Sequence, residues 1–186
     1  MLIMRAAVDN GDAKKLAELM RQDPGFNVSN DHGNGNGWTL LHFACLGSDR
    51  SAVIPLLLAY PGINVNLKDI DEQTPFYWAC AGFASCVREI LKDSRVEVNE
   101  PDNDGSTPLY LAAFDGRLDI LKWWIASGRE VDLGEPGDVG KTDAIGVAKK
   151  YGETEVVTLL ERFKSDAAQT RHAVRVELGW YDEAAS

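Results

Sequence analysis

The sequence predicts an all-α fold, a solenoid of about five helix-turn-helix repeats with hairpin-like finger loops and a C-terminal helical extension. Two observations predict it: a short motif returns along the chain, and each copy is followed by a second amphipathic segment. The threonines that begin three copies, Thr39, Thr74 and Thr107, are 35 and 33 residues apart. A period of this length is typical of solenoids, whose units bury their apolar faces against their neighbours.

The motif has an apolar third position, an aromatic residue or histidine at the fourth, and a pair of small residues at its end. Its clearest copies are TLLHFAC at 39–45, TPFYWAC at 74–80 and TPLYLAA at 107–113. A weaker copy is DAIGVAK at 143–149, and the N-terminal segment 2–8 has its small pair as Ala6-Ala7.

A second helical pattern follows each copy, with apolar residues three and four positions apart. These second segments cover 11–22, 51–60, 84–93, 117–127 and 153–163. We therefore expect an array over residues 1–163, with repeats at approximately 1–30, 31–68, 69–101, 102–134 and 135–163, and an extension over 164–186.

The first helices have start signals. Thr74 and Thr107 can cap a helix through their hydroxyls, and a proline follows each at the first helical position, where a missing N–H is harmless. Thr142 or Asp143 is expected to cap the first helix of the last repeat. Among the second helices, the one that contains Pro55 is expected to begin near Ser51 rather than Ser48, because proline is tolerated only near the first turn.

The turns before the threonines need a residue with positive φ. Gly37 and Gly105 stand two residues before their threonines and can adopt that conformation without strain. Glu72 occupies the same place in the third copy, so we expect a less regular turn there.

These residues resemble the ankyrin repeat, whose unit reads D-x-x-G-x-T-P-L-H-x-A-A-x-x-G, then an apolar helix, then G-A-D-V-N. The best copy is DNDGSTPLYLAAFDGRLDILKWWIASGREVD at 102–132, and the resemblance covers residues 2 to about 163. Several copies in register argue against unrelated helical hairpins. The resemblance implies a concave groove, formed by finger tips and first helices, that binds proteins, with catalysis confined to other domains.

The resemblance also assigns groove residues by position. The finger tips are Trp38, Ile70, Asp71, Gln73, Asn103, Asp104 and Ser106, and the adjacent helix faces contribute Leu46, Ala81, Phe114 and Asp115. Trp38 and Phe114 are expected to be exposed anchors for a basic, partly apolar segment of a partner protein. The alternative is that Trp38 folds onto its own glycine-rich turn. At least two of Trp78, Trp123 and Trp124 are expected in the core.

Charge narrows the class of partner. The formal net charge is −10, and residues 27–138 contain 17 acidic against 8 basic residues, a net charge of −9. Such a surface repels phosphate backbones, so we expect no nucleic-acid partner and favour a basic protein segment. The alternative is that the acidity serves only solubility. Without a long apolar run or a secretory signal, we expect no membrane partner and an intracellular location, cytoplasmic or nuclear.

The sequence argues against nucleotide binding, zinc binding and catalysis by a Cys–His pair. The segment GDVGKT resembles the end of a phosphate-binding loop, but Glu135 stands where that loop needs its first glycine, so no nucleotide cofactor is expected. Cys80 and Cys86 have no partner pair that would complete a zinc site. His42 lies three residues from Cys45, yet its place matches a buried, hydrogen-bonding histidine of the resembled family. We expect no cofactor, no metal and no enzymatic activity.

The C-terminal segment continues the helical pattern. No glycine or proline interrupts residues 153–178, so the last helix is expected to run on, with a bend near Ser165-Asp166, until Gly179 ends it. Its outer part then folds back as a cap, leads into a further domain, or packs on a second copy through residues 166–181. An oligomerising or structural role is therefore the alternative to a protein-binding role.

Overall fold

The computed structural model describes residues 2–28, 35–134 and 143–180. Within these ranges the regular structure is helical, with no strand. The α-helices, numbered in chain order, are α1 Leu2–Asp9, α2 Ala13–Gln22, α3 Leu40–Ala44, α4 Ile54–Leu58, α5 Pro75–Cys80, α6 Ala84–Ile90, α7 Pro108–Phe114, α8 Leu118–Ser127, α9 Ala144–Tyr151, α10 Thr154–Ser165 and α11 Ala167–Glu177, and a 3-10 segment covers Ser48–Val53.

The helices pack in two rows. An inner row contains α1, α3, α5, α7 and α9, each in contact with the next. An outer row contains α2, α4, α6, α8 and α10, and every inner helix packs on the outer helix that follows it. The predicted all-α solenoid is confirmed. The fingers project from the starts of the inner helices, so the inner row and its fingers share one face of the molecule.

The caps form as the sequence predicts. Thr39, Thr74 and Thr107 each accept a hydrogen bond from the backbone N–H three residues later, and the prolines after Thr74 and Thr107 begin α5 and α7. Asp143 caps α9 by accepting from Gly146 N. Thr142 and the rest of the GDVGKT segment, together with residues 29–34, lie outside the described residues.

The expectation of a less regular turn at Glu72 is wrong. Glu72 has a φ of +60°, close to the +75° of Gly37 and the +78° of Gly105. The turn therefore keeps the glycine conformation with a side chain that disfavours it, at a cost on the order of 1 kcal/mol.

The expected start of the helix that contains Pro55 is also wrong. A 3-10 segment begins at Ser48, and α4 begins only at Ile54, with Pro55 in its first turn. Ser51 caps nothing, since its hydroxyl donates back to Ser48 O. An α-helix through Ser51 would set the Pro55 ring against the Ser51 carbonyl, and the narrower 3-10 turn avoids that clash.

The register of the first repeat is shifted by one residue from the one expected. Gly11 and Gly116 end their inner helices with φ of +62° and +65°, so Gly11 matches Gly116. The small pair matching Ala112-Ala113 is then Ala7-Val8, both buried, whereas Ala6 is exposed.

The expected continuous C-terminal helix is wrong. Asp166 has φ −149° and ends α10, while its carboxylate accepts from Gln169 N and so caps α11. The chain turns back, and α11 packs on both α8 and α10, as the fold-back alternative required. Gly179 does end this helix: with φ +63°, it lets Trp180 N donate to Arg175 O.

Two arginines of α11 complete the end of α8. Arg171 Nε donates to Ile125 O at 3.1 Å and Arg175 Nε to Ala126 O at 2.7 Å. These carbonyls lie in the last turn of α8, where intrahelical donors run out and positive charge is favoured. The helix α11 therefore acts as a cap on the outer row.

The three cysteines are free and buried, so Cys45, Cys80 and Cys86 pack in the core. Burial raises the pKa of the Cys45 and Cys80 thiols well above the ordinary value and that of Cys86 to about 11. In the described part of the chain, no group of His, Cys, Asp and Glu is arranged to hold a metal ion. None of the helices given above is long and apolar enough to cross a membrane.

Candidate protein-binding groove

The fingers are held to one another by backbone hydrogen bonds. Ile70 N donates to Asn36 O at 3.0 Å, and Asn103 N donates to Asp71 O at 3.1 Å. Each donor belongs to the finger after its acceptor. The described fingers therefore form one continuous edge along the inner row.

One aspartate holds the backbone of each finger that precedes Thr74 and Thr107. One carboxylate oxygen of Asp69 accepts from Asp71 N at 3.0 Å and Gln73 N at 2.9 Å. Asp102 does the same for Asp104 N and Ser106 N, at 3.0 and 2.8 Å. These bonds satisfy the turn amides and direct the side chains at the tips outward.

A buried polar residue connects each inner helix to the next finger. His42 Nδ1 accepts from Thr39 N at 3.0 Å, so His42 Nε2 donates to Gln73 O at 3.2 Å. Burial lowers the pKa of His42, against the opposing effects of its bond to Gln73 and of Asp69. In the next repeat, Tyr77 donates from its hydroxyl to Asp102 at 2.6 Å. Both side chains therefore join repeats, and His42 is buried and hydrogen-bonded as expected.

The buried histidine makes stability depend on pH. The pKa of His42 is lowered from 6.5 in the folded chain. As the pH falls below about 6.5, His42 therefore binds a proton more readily in the unfolded chain than in the folded chain. We expect the free energy of unfolding to fall as the pH is lowered from about 7.5 to about 5.5. Urea titrations check this, and His42→Gln should flatten the pH dependence. His172→Gln, which removes an exposed histidine on α11, is the control and should leave the dependence in place.

Trp38 is half-buried, which corrects the expectation that it is an exposed anchor. Its ring packs edge to face on Phe43 and on Trp78, with centroids 5.2 and 5.0 Å apart. Its Nε1 donates to Asp69 Oδ2 at 2.9 Å, and Trp78 Nε1 donates to the same oxygen at 2.9 Å. Trp38 thus packs on the next repeat.

The expectation that at least two of Trp78, Trp123 and Trp124 lie in the core is met fully by one of them. Trp124 is fully buried, and Trp78 and Trp123 are half-buried against the core. Trp123 packs beside Trp180 of the C-terminal cap, with centroids 5.4 Å apart.

Phe114 is 36 % exposed, as expected, and it has a neighbour that the sequence did not indicate. Tyr151, 49 % exposed, packs edge to face on it with centroids 4.4 Å apart. Tyr151 precedes Gly152 as Asp115 precedes Gly116, so aligning these glycines would have placed it beside the groove.

The remaining groove residues fall into two groups. The exposed ones are Ile70, at 63 %, with Asp71, Asn103, Asp104 and Asp115, and the half-buried ones are Leu46, Gln73, Ala81 and Ser106. The exposed group is mainly acidic and lies mostly at the finger tips.

The basic residues of the acidic segment 27–138 are already engaged within the chain. Lys68, for example, lies 3.5 Å from Glu72 and 3.1 Å from Glu100. The other seven contact an acid, an aromatic ring or a backbone carbonyl: Arg50, Arg88, Lys92, Arg95, Arg117, Lys122 and Arg129. Among the described residues, neither Asp71 nor Asp104 takes part in an ion pair, so these carboxylates face solvent uncompensated.

The chain is a helical repeat protein. Its inner row and fingers form one face that is acidic and carries partly exposed aromatic rings, and this face is a candidate binding groove. The chain belongs to the ankyrin-repeat family. The family model described as "Ankyrin repeats (3 copies)" matches residues 3–100 and 48–135.

Curated relatives place similar repeats inside much longer proteins. The chain is 31 % identical over 153 residues to the human SMC5-SMC6 complex localization factor protein 1, covering 78 % of this chain and 14 % of that protein. It is 29 % identical over 166 residues to the palmitoyltransferase AKR1 of Kluyveromyces lactis, covering 87 % of this chain and 21 % of that protein. The matched region is thus a small part of each relative.

Proposed function

We propose that this chain is a non-catalytic protein-interaction module that binds a basic, partly apolar segment of a partner protein in its groove. One observation carries the proposal: the finger-tip carboxylates are uncompensated, whereas the basic side chains of the same segment are engaged. A partner's lysines or arginines would supply the missing positive charge.

The groove offers apolar anchors beside these charges. The exposed pair of Phe114 and Tyr151 lies on the inner row, and Ile70 is an exposed apolar side chain at a finger tip. Aromatic side chains are enriched among the residues that dominate binding energy, and carboxylates beside them favour a partner of positive charge. The partner segment would therefore place an apolar residue on the aromatic pair and basic residues along the fingers.

The relatives support a binding role in general terms. The human relative is named a localization factor of the SMC5-SMC6 complex, a name consistent with a binding role. We infer that residues 1–163 act as one binding domain, with residues 164–186 as its cap, in an intracellular protein.

Self-association through residues 166–181 is less favoured. The helix α11 directs its buried side chains, Thr170 and Val174, into the contact with α8 and α10. The apolar face that a second copy would need is therefore largely occupied.

A panel of short synthetic peptides tests the proposal. We expect peptides with several lysines or arginines and one large apolar residue to bind, and acidic peptides of the same length not to bind. Asp71→Lys with Asp104→Lys should weaken binding about tenfold or more. The control is Glu18→Lys with Glu161→Lys, on α2 and α10 of the outer row. It changes the net charge by the same amount and should leave the affinity unchanged. Equal losses in both variants, or no binding by basic peptides, would refute the proposal.

Binding should also weaken with salt. Exposed charges are screened over about 10 Å at 0.1 M salt, so the affinity for a basic peptide should fall between about 0.05 and about 0.5 M salt. Fluorescence anisotropy measures this directly. A constant affinity would show that the acidic surface serves solubility alone.

A further inference from the structure

We propose that the indole rings of Trp38 and Trp78, backed by the Asp69 carboxylate, form a subsite that receives one lysine or arginine side chain of the partner segment. The inference rests on the proposed function and adds the position in the groove, and the chemistry, by which one cation is recognised.

The two rings are fixed by a single buried carboxylate. Asp69 is 5 % exposed, and its Oδ2 accepts from both indole N–H groups at 2.9 Å. Its Oδ1 accepts from Asp71 N and Gln73 N. An ionised carboxylate only accepts hydrogen bonds, so four N–H donors suit it well. The donors also fix both ring planes, which meet edge to face at an interplanar angle of 64°.

This arrangement attracts cations for two reasons. The face of an indole ring is electrostatically negative, and tryptophan is the strongest of the aromatic residues in binding cations. Behind the rings lies a carboxylate removed from water, where charge interacts over a lower effective dielectric. The half-buried rings leave part of their surface to solvent, so a partner side chain can reach them.

Other aromatic rings of the chain have cations from the chain itself over them, whereas in the described ranges Trp38 and Trp78 have none. Among the residues that the structure describes, four cations lie over aromatic rings: Arg5 over Phe43 at 3.5 Å, Arg88 over Trp123, Lys150 over Tyr151 and Arg171 over Phe163. None of them lies over Trp38 or Trp78. The finger edge beside these two rings carries uncompensated acids, so the same basic segment that satisfies Asp71 would pass next to them.

A double-mutant cycle on the full chain tests this subsite. The probe is the tightest basic peptide of the panel, with each lysine or arginine replaced in turn by norleucine, which keeps the alkyl chain and removes the charge. The protein variants are Trp38→Leu with Trp78→Leu, and Phe114→Leu with Tyr151→Leu as the control. At one peptide position, the norleucine replacement should lower the affinity for the wild-type protein about two- to thirtyfold. The same replacement should change the affinity for the Trp variant little, because the rings that bind the cation are gone.

A second probe does not depend on variants that fold. Nα-acetyl-lysine methylamide, titrated into the wild-type protein, should shift the two indole N–H resonances that belong to Trp38 and Trp78, and the norleucine analogue should not. These resonances are assigned by triple-resonance and NOE spectra of the ¹³C,¹⁵N-labelled wild-type protein.

The outcomes separate the two proposals. If no basic peptide binds, the proposed function fails. If a basic peptide binds but no cationic position couples to Trp38 and Trp78, and the lysine probe moves neither resonance, the subsite is refuted while the proposed function stands. If norleucine binds as well as lysine, the rings take an apolar side chain and the cation assignment is wrong.

Discussion

Replacing Val174 by aspartate should lower the free energy of unfolding by about 3–5 kcal/mol, because it removes a buried apolar side chain and puts a carboxylate in its place. Val174 is 2 % exposed and lies on the face of α11 that packs against α8 and α10. The loss is limited by the free energy with which α11 docks, since the helix can detach to hydrate the charge. Urea unfolding followed by circular dichroism measures it.

The same helix supplies the control. Val176 is 63 % exposed, so Val176→Asp makes the same chemical change on the solvent side and should cost no more than about 0.5 kcal/mol. Deleting residues 166–186 should also lower the melting temperature markedly. If Val174→Asp is as mild as Val176→Asp, α11 is not docked in solution and its role as a cap is wrong.

Replacing Trp124 by alanine should cost about 3–5 kcal/mol. Trp124 of α8 is fully buried and packs edge to face on Phe76 of α5, the inner helix of the preceding repeat, with centroids 4.9 Å apart. Its Nε1 donates to Glu130 O at 2.8 Å. The substitution leaves a large cavity between two repeats and an acceptor without its donor. Chemical unfolding measures the loss.

Phe114→Ala provides the comparison for Trp124→Ala. Phe114 is partly exposed on the groove, so its loss should cost about 1 kcal/mol and leave the fold intact. If the two variants lose equal stability, the distinction between an inter-repeat core and an exposed groove ring is incorrect.

The repeats could be predicted from the sequence because their signals are local. A threonine cap, a proline at the first helical position and a small pair act within a few residues, so each copy gives the same helix start wherever it stands. The buried, hydrogen-bonding role of His42 was implied by the resemblance to the ankyrin repeat, and the structure supplies its partners.

A bend near Ser165-Asp166 was expected, but the end of one helix and the start of another were missed, because the apolar period continues across Asp166. Both α10 and α11 face the same core, so their pattern cannot distinguish one bent helix from two. The local signal was present: Asp166 is followed three residues later by Gln169, the spacing of a helix N-terminus. The aspartate's bond to Gln169 N turns the chain.

Trp38 was misplaced because its partners are distant in sequence. Asp69 and Trp78 lie 31 and 40 residues further along the chain, and no period or motif within one repeat links them to Trp38. Finger residues are assigned to the surface by family position, whereas a large side chain there can reach the next repeat. The candidate subsite therefore emerges only when neighbouring repeats are in place.

The most direct test of the binding groove is a residue-level footprint of the complex. The protein, labelled with ¹⁵N, is titrated with the tightest basic peptide of the panel, and the perturbed amide and indole N–H signals are mapped on the structure. We predict that they cluster on the fingers around Ile70, Asp71 and Asp104 and on the inner helices near Phe114, with α2, α4 and α6 unaffected. Perturbations confined to the outer row or to α11 would contradict the assignment of the concave face as the binding site.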